Sequence, residues 1–100
     1  MNLTKNEITD KCMEYLANCD FKVLTTLILE KNYISDISLD YLSKSDFKLL
    51  TTLNLANNRI CDKGLEYLTR CDFKHLTTLN LKYIAIGDEG LKHLNVIINI

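Results

Sequence analysis

Leu24 to Ile34 reads LTTLILEKNYI, Leu50 to Ile60 reads LTTLNLANNRI, and Leu76 to Ile86 reads LTTLNLKYIAI. The copies stand 26 residues apart, and each is followed by a second apolar set at helical spacing. A fixed period of this size marks stacked supersecondary units, none of which can bury its apolar face alone. The spacing therefore predicts an elongated array and not a single globule.

Within each phrase, leucines at the first, fourth and sixth places alternate around a Thr-Thr pair and a variable residue. That is the in-out pattern of a short strand, predicted over Thr26–Glu30, Thr52–Ala56 and Thr78–Lys82. The β-branched pairs Thr25/Thr26, Thr51/Thr52 and Thr77/Thr78 suit a half-exposed strand. Asn32 and Asn58 follow the first two strands, and Asn6 repeats their spacing to Ile8. Stacked carboxamides at such a bend can pair with backbone groups that leave the sheet.

Two residues after each Ile comes an aspartate, Asp10, Asp36, Asp62 or Asp88. Each precedes apolar residues three apart: Met13 and Leu16, Leu39 and Leu42, Leu65 and Leu68, Leu91 and Leu94. An Asp in that place reads as an N-cap opening one of four short helices. Cys19-Asp20-Phe21, Ser45-Asp46-Phe47 and Cys71-Asp72-Phe73 close the first three, predicting a phenylalanine spine between helix and sheet with the aspartates in the turn.

The chain opens in mid-repeat, with Met1-Asn2-Leu3 matching the last part of a strand. A half strand is expected to leave Leu24, Leu27 and Leu29 poorly covered, either as part of a longer array or as an edge that pairs with a partner. At the other end Ile84 interrupts the asparagine column, and Asn95 to Ile100 lack the Asp and Phe of the spine. A capping repeat is the expectation there.

The chain has 100 residues, a net charge of −1 and no long run of Lys or Arg, which removes the electrostatic footprint of nucleic-acid or acidic-membrane binding. The first residues lack the apolar core of about 7 to 15 residues that a secretory signal needs. No stretch approaches the roughly 20 apolar residues of a bilayer-spanning helix. Cys19 and Cys71 hold equivalent places two repeats apart, about 10 Å from each other and beyond disulfide reach. Reduced, buried cysteines and a cytoplasmic protein are expected, with a host cytoplasm as the setting if the chain is a secreted effector.

No constellation for catalysis, cofactor binding or metal ligation emerges. His75 falls in a loop and His93 on the fourth helix, both read as surface residues without metal-ligand spacing beside them. Cys12 and Cys19 share a helix but lie about 10 Å apart along its axis. Gly64 and Gly90 are equivalent to Cys12 and Ser38, which marks a crowded place in the first helical turn, explained by close packing between neighbouring helices.

These residues resemble leucine-rich repeats, whose signature LxxLxLxxNxL is matched over Leu24 to Ile34 and Leu50 to Ile60. The 26-residue length, with ITD at Ile8 to Asp10, ICDKGLEYL at Ile60 to Leu68 and IGDEGLKHL at Ile86 to Leu94, most resembles the cysteine-containing subclass, although asparagine stands at the bend. The resemblance implies an α/β solenoid: a curved right-handed segment with parallel strands on the concave face and short helices on the convex face. It would form one domain over 1–100, with a partial repeat 1–23 and repeats 24–49, 50–75 and 76–100.

The expected function is that of a protein-interaction module binding through the concave face. The side chains alternating outward there are Thr26, Ile28, Glu30 and Lys31, then Thr52, Asn54, Ala56 and Asn57, then Thr78, Asn80, Lys82 and Tyr83. Ile28 and Tyr83 are its anchors. Three strands give a face only about 15 Å across, short of the roughly 800 Å² per partner of a standard interface, so binding is expected to be weak or to use the open ends as well, including self-association. Two alternatives are a substrate-recognition segment of a ubiquitin-ligase adaptor, from the subclass likeness, and a truncated repeat fragment without separate activity.

Overall fold

The computed structural model describes residues 1–19 and 22–97, with side chains through residue 93. Three short strands, β1 (Thr26–Ile28), β2 (Thr52–Asn54) and β3 (Thr78–Asn80), alternate with helices α1 (Asp10–Ala17), α2 (Asp36–Ser43), α3 (Asp62–Leu68) and α4 (Asp88–Ile97). The strands form one parallel sheet in the order β1-β2-β3, in which Leu27 faces Leu53 and Leu53 faces Leu79. Register therefore equals the sequence period, and each helix packs on its neighbours in sequence. This is an α/β leucine-rich repeat solenoid, a succession of strand, helix and parallel strand.

The core lies between the two layers. Leu27, Leu29, Leu53 and Leu55 point inward from the strands, Ile34 and Ile60 from the bends, and Met13, Leu39, Leu42, Leu65 and Leu68 from the helices, with Phe47 and Phe73 closing the helix-to-strand loops. Phe21 and Asp20, first members of the expected spine and turn, lie outside the described residues. The molecule measures 34 × 28 × 19 Å, which corrects the expectation of elongation. At about 4.8 Å per strand, so few repeats make a stack thinner than a single repeat is wide.

The strands are two residues shorter than predicted, and in β2 and β3 a side chain competes for the next amide. Asn54 Oδ1 accepts the Ala56 amide at 3.0 Å, and Asn80 Oδ1 accepts the Lys82 amide at 3.0 Å. Each carboxamide captures a donor that would otherwise extend the ladder. Pairing between repeats still continues past the strands, with Leu29 N–H donating to Asn54 O at 2.8 Å and Lys31 N–H to Ala56 O at 3.0 Å. Ala56 is only 1% exposed and does not belong to the outward set.

Leu27 and Leu29 are fully buried, against the expectation of poor cover. Residues 1–5 lie along β1: Ile28 N–H donates to Met1 O at 3.0 Å, Leu3 N–H to Ile28 O at 2.8 Å, and Lys5 N–H to Glu30 O at 3.1 Å. Leu24 is only partly buried. At the other end, Leu76, Leu79, Leu81, Ile84 and Ile86 are half-buried where their equivalents in the preceding repeat, Asn58 aside, are buried apolar side chains. Leu91 is 56% exposed although Met13, Leu39 and Leu65 at the same place are 0% exposed. Among the described residues the last repeat does not close the core as a cap would; the side chains from 94 to 100 lie outside them.

The asparagine column does what the spacing predicts. Asn32 Oδ1 accepts the amides of Asn6 and Ile8 at 3.0 and 2.9 Å, while its Nδ2 donates to the carbonyls of Leu3, Leu29 and Glu30. Asn58 repeats this one unit later, accepting from Ile34 N–H at 3.1 Å and donating to Leu29, Leu55 and Ala56 carbonyls. Ile84 ends the column and packs against the core instead.

The aspartates are not the N-caps. Thr9, Ser35 and Cys61 hold the cap position with extended backbone and make no side-chain capping bond, and Asp10, Asp36 and Asp62 are the first helical residues. Their carboxylates reach sideways. Asp10 Oδ1 accepts the Ser35 amide at 2.9 Å, Asp36 Oδ1 the Cys61 amide at 2.7 Å, and Asp62 Oδ1 the Gly87 amide at 2.6 Å. Each aspartate thus satisfies the amide of the next repeat just where that chain leaves the sheet.

This column also explains the glycines. A Cβ on Gly64 would stand 2.5 Å from Asp36 Oδ1, 2.7 Å from Ile60 Cγ2 and 3.2 Å from Leu39 Cδ1; Asp36 and Leu39 belong to α2, so much of the crowding is the neighbouring helix, and its closest atom is a carboxylate oxygen. At the equivalent place Ser38 donates its hydroxyl to Asp10 Oδ1, and the Ser35 hydroxyl donates to Asp10 Oδ2. Burial raises the Asp10 carboxyl, but the two hydroxyls and the Ser35 amide outweigh it and hold the group below its ordinary value.

Candidate functional site

The strand register sorts the expected concave-face residues into rows. Thr26, Thr52 and Thr78 are directly paired neighbours, and so are Ile28, Asn54 and Asn80, with Asn2 bridged to Ile28 at one end. Thr26, Ile28, Thr52, Asn54 and Asn80 are half-buried, and Thr78 on the edge strand is exposed. Glu30 is half-buried and Lys82 exposed, and between them the row contains the buried Ala56.

The last row, Lys31, Asn57 and Tyr83, has a feature the sequence does not display. All three have left-handed backbone, with φ of 59°, 56° and 60°, and Lys5 at the same place has φ 58°. Asn tolerates this region, whereas Lys and Tyr are held there at a cost of about 1 kcal/mol. The bend aims the row away from the core, and Tyr83 is 78% exposed.

The face therefore combines small polar side chains, one half-buried isoleucine and one exposed tyrosine, with one acidic residue, Glu30, and two basic ones, Lys31 and Lys82. The carboxamide oxygens of Asn54 and Asn80 serve their own bends, leaving these residues partly committed to the fold. The Thr51 hydroxyl donates to Thr25 O at 3.0 Å and the Thr77 hydroxyl to Thr51 O at 3.3 Å, so the threonine pairs also join repeats.

The helix layer is different. Its charges are paired within helices: Lys11 with Glu14 at 3.2 Å, Lys44 with Asp40 at 3.2 Å, Lys63 with Glu66 at 2.7 Å, and Lys92 with Glu89 at 3.0 Å. Exposed pairs of this kind contribute little to stability. Sequence reasoning missed a row of aromatic residues here: Tyr15, Tyr41 and Tyr67 recur at the repeat spacing, with His93 next. Lys11 lies over the Tyr15 ring at 5.3 Å, and Lys63 and Arg70 over Tyr67 at 5.4 and 5.3 Å. The signal was present in MEYL, LDYL and LEYL, but the leucines beside it dominate that pattern.

Cys12, Cys19 and Cys61 are exposed, contrary to the expected burial; Cys12 and Cys19 lie in the first repeat, whereas later members of their columns, Ser38 and Ser45, are buried and half-buried. Cys71 alone is half-buried, and burial pushes its thiol up to about 12. His75 is exposed, while His93 is half-buried and lines a shallow depression with Asp62, Lys63, Glu66 and Glu89. Among the described residues no group of three His, Cys, Asp or Glu side chains is placed to hold a metal ion. No helix among them is long and apolar enough to cross a membrane.

Residues 48–68 and 74–95 match the model of a family described as Leucine Rich repeat. Among curated proteins there is no match. Among solved structures, one described as leiomodin-1 actin-binding site 2 is similar to this chain with a TM-score of 0.75 over 97% of it, at 21% sequence identity. The chain spans 62% of that structure's length. At this identity the likeness speaks for the fold.

Proposed function

We propose that this chain, a leucine-rich repeat protein, is a protein-interaction module that engages a protein partner through the face formed by Thr26, Ile28, Glu30, Lys31, Thr52, Asn54, Asn57, Thr78, Asn80, Lys82 and Tyr83. The observation that carries this reading is Tyr83: an aromatic side chain, 78% exposed, presented by a left-handed bend on an otherwise small and polar surface. Rigid aromatic residues give much contact area for little lost conformational freedom, which is why they anchor interfaces. Ile28 supplies a second apolar contact two rows of the sheet away, and Glu30, Lys31 and Lys82 supply charges at the rim.

The same fold in leiomodin-1 occurs at a site described as actin-binding, an instance of such an array meeting a protein surface. The partner of this chain is a separate matter. It is sought by capture from lysate with the wild-type chain, with an Ile28→Asp, Tyr83→Ala double variant, and with a Tyr15→Ala variant altered only on α1. A protein retained by the wild type and by Tyr15→Ala, and lost from the folded double variant, is the expected result. Retention unchanged by the double variant contradicts the assignment of the face.

A further inference from the structure

We propose that the edge of the array at its bends, centred on Arg59 stacked over Tyr33, binds an acidic, extended segment of a protein through that segment's carboxylates. The inference goes beyond the concave-face reading, because neither Tyr33 nor Arg59 belongs to that face.

Tyr33 and Arg59 hold the same place in successive repeats, each between an asparagine of the column and an inward isoleucine: Asn32-Tyr33-Ile34 and Asn58-Arg59-Ile60. Ile34 and Ile60 are 0% exposed, and the residue before each is turned to the solvent side. The backbone of both is fixed, with Tyr33 N–H donating to Ile8 O at 2.8 Å and Arg59 N–H to Ile34 O at 2.8 Å. The Arg59 guanidinium lies 4.9 Å from the centre of the Tyr33 ring, which holds its planar head over the ring. Tyr33 is 46% exposed and Arg59 is exposed. Both repeats have a described repeat on either side, so this exposure does not depend on what lies beyond the ends of the stack.

The chain contains a second stack of this kind, and it shows what the first lacks. Arg70 lies over Tyr67 at 5.3 Å and meets Glu66 Oε1 at 3.6 Å. Arg59 has the ring but, among the described residues, no carboxylate at ion-pair distance and no hydrogen bond from its guanidinium. Ion pairs among those residues all lie on the helices, whereas the bend edge keeps its cations unpaired. Lys5 and Lys31 stand at adjacent bends, both exposed, and Glu7 in the Tyr33 row is also exposed. The two rows Lys5, Lys31, Asn57, Tyr83 and Glu7, Tyr33, Arg59, Ala85 thus carry three cations and one anion, on a chain whose net charge is −1.

That charge pattern selects the partner's chemistry. Three cations interrupted by Glu7 and Asn57 do not form the continuous basic track that a phosphate backbone needs. A guanidinium held flat with its N–H fork unused is suited to a single carboxylate, taken through two parallel hydrogen bonds. Side chains on one side of an extended segment recur about every 6.6 Å, and neighbouring bends are about 4.8 Å apart, so carboxylates two residues apart fall within reach of Arg59 and the long side chain of Lys31.

The test is fluorescence anisotropy of a fluorescein-labelled oligoglutamate peptide titrated with the intact 100-residue chain. The wild type is expected to bind at low salt and to release the peptide as salt is added. Arg59→Gln is expected to weaken binding about tenfold, the effect of losing one charge-assisted pair. Arg59→Lys keeps the charge without the fork and should recover only part of that loss. Tyr33→Leu keeps every charge and removes the ring, and it too should weaken binding. Arg70→Gln removes an equal charge from the helix layer and should leave binding unchanged. All three positions are exposed, and thermal unfolding verifies that each variant is folded. A wild type that does not bind, a loss in Arg70→Gln equal to that in Arg59→Gln, or an unchanged affinity in folded Arg59→Gln each overturns the proposal. Tighter binding of a labelled oligothymidylate than of oligoglutamate overturns the assignment to a carboxylate-bearing protein segment.

Discussion

Asp36 Oδ1 accepts the backbone N–H of Cys61 at 2.7 Å, and the space it occupies is the space a side chain on Gly64 would need. One carboxylate thereby fixes both the path of the next repeat and the residue allowed in its helix. The same relation holds between Asp62, Gly87 and Gly90, whereas beside Asp10, which accepts the Ser35 amide, Ser38 keeps a side chain and donates its hydroxyl to the carboxylate.

Gly64→Ala is therefore expected to destabilise the fold by about 1–3 kcal/mol through overpacking. Helix propensity alone argues the opposite sign, a gain of about 1 kcal/mol. Gly64→Ser should cost less than Gly64→Ala, because its hydroxyl can donate to Asp36 as Ser38 donates to Asp10. Urea unfolding of the three chains decides it: an alanine variant as stable as the wild type removes the proposed clash.

Asn32 is 5% exposed and joins two repeats through both ends of its carboxamide. Replacing it by Ala leaves buried backbone groups unpaired, for a loss of about 3 kcal/mol. Asn6→Ala, at an exposed place in the same column, should change stability by no more than about 0.5 kcal/mol. Equal losses at the two sites would show that the bridging bonds do not contribute as described.

Much of this architecture was legible because its elements recur. Strand, bend, helix and inward leucine each appear in several copies, so the period identifies the fold even where one copy is weak. The misreadings concern relations between repeats. Asp36 sits one residue inside the helix and bonds to Cys61 in the next unit, a partner that no window of local sequence contains. Ala56 follows strand alternation in the sequence but is only 1% exposed, which local alternation does not display. The candidate face was legible as an alternation, whereas the left-handed row of Lys31, Asn57 and Tyr83 was not, since only Asn57 is a residue type suggestive of positive φ.

Asp10 predicts a pH dependence. Its folded pKa lies below the ordinary value of an aspartate carboxyl, so the carboxylate stabilises the fold above the unfolded value and loses that contribution as pH falls through the folded one. Asp10→Asn should therefore destabilise at neutral pH, and its deficit against the wild type should shrink below about pH 4. Urea midpoints of both chains across that range test the sign. A deficit that grows with acid contradicts it.

The cysteines should separate by reactivity. Hydrogen bonding from Thr9 lowers the Cys12 thiol, which is exposed, whereas burial raises Cys71 to about 12. Since the thiolate is the reacting form, iodoacetamide at mildly alkaline pH should modify Cys12 well before Cys71, and denaturant should abolish the difference. Peptide mapping by mass spectrometry reads the order directly, and early modification of Cys71 would place it outside the core.

The strand face, and not the helix face, is proposed to meet a protein partner. The most direct test is a photo-crosslinking amino acid placed at Thr52 on β2 or at Tyr15 on α1, with crosslinks to the captured partner compared between the two. Adducts from position 52 and none from position 15 are the predicted result. Adducts confined to position 15 would contradict the claim and move the interface to the helices.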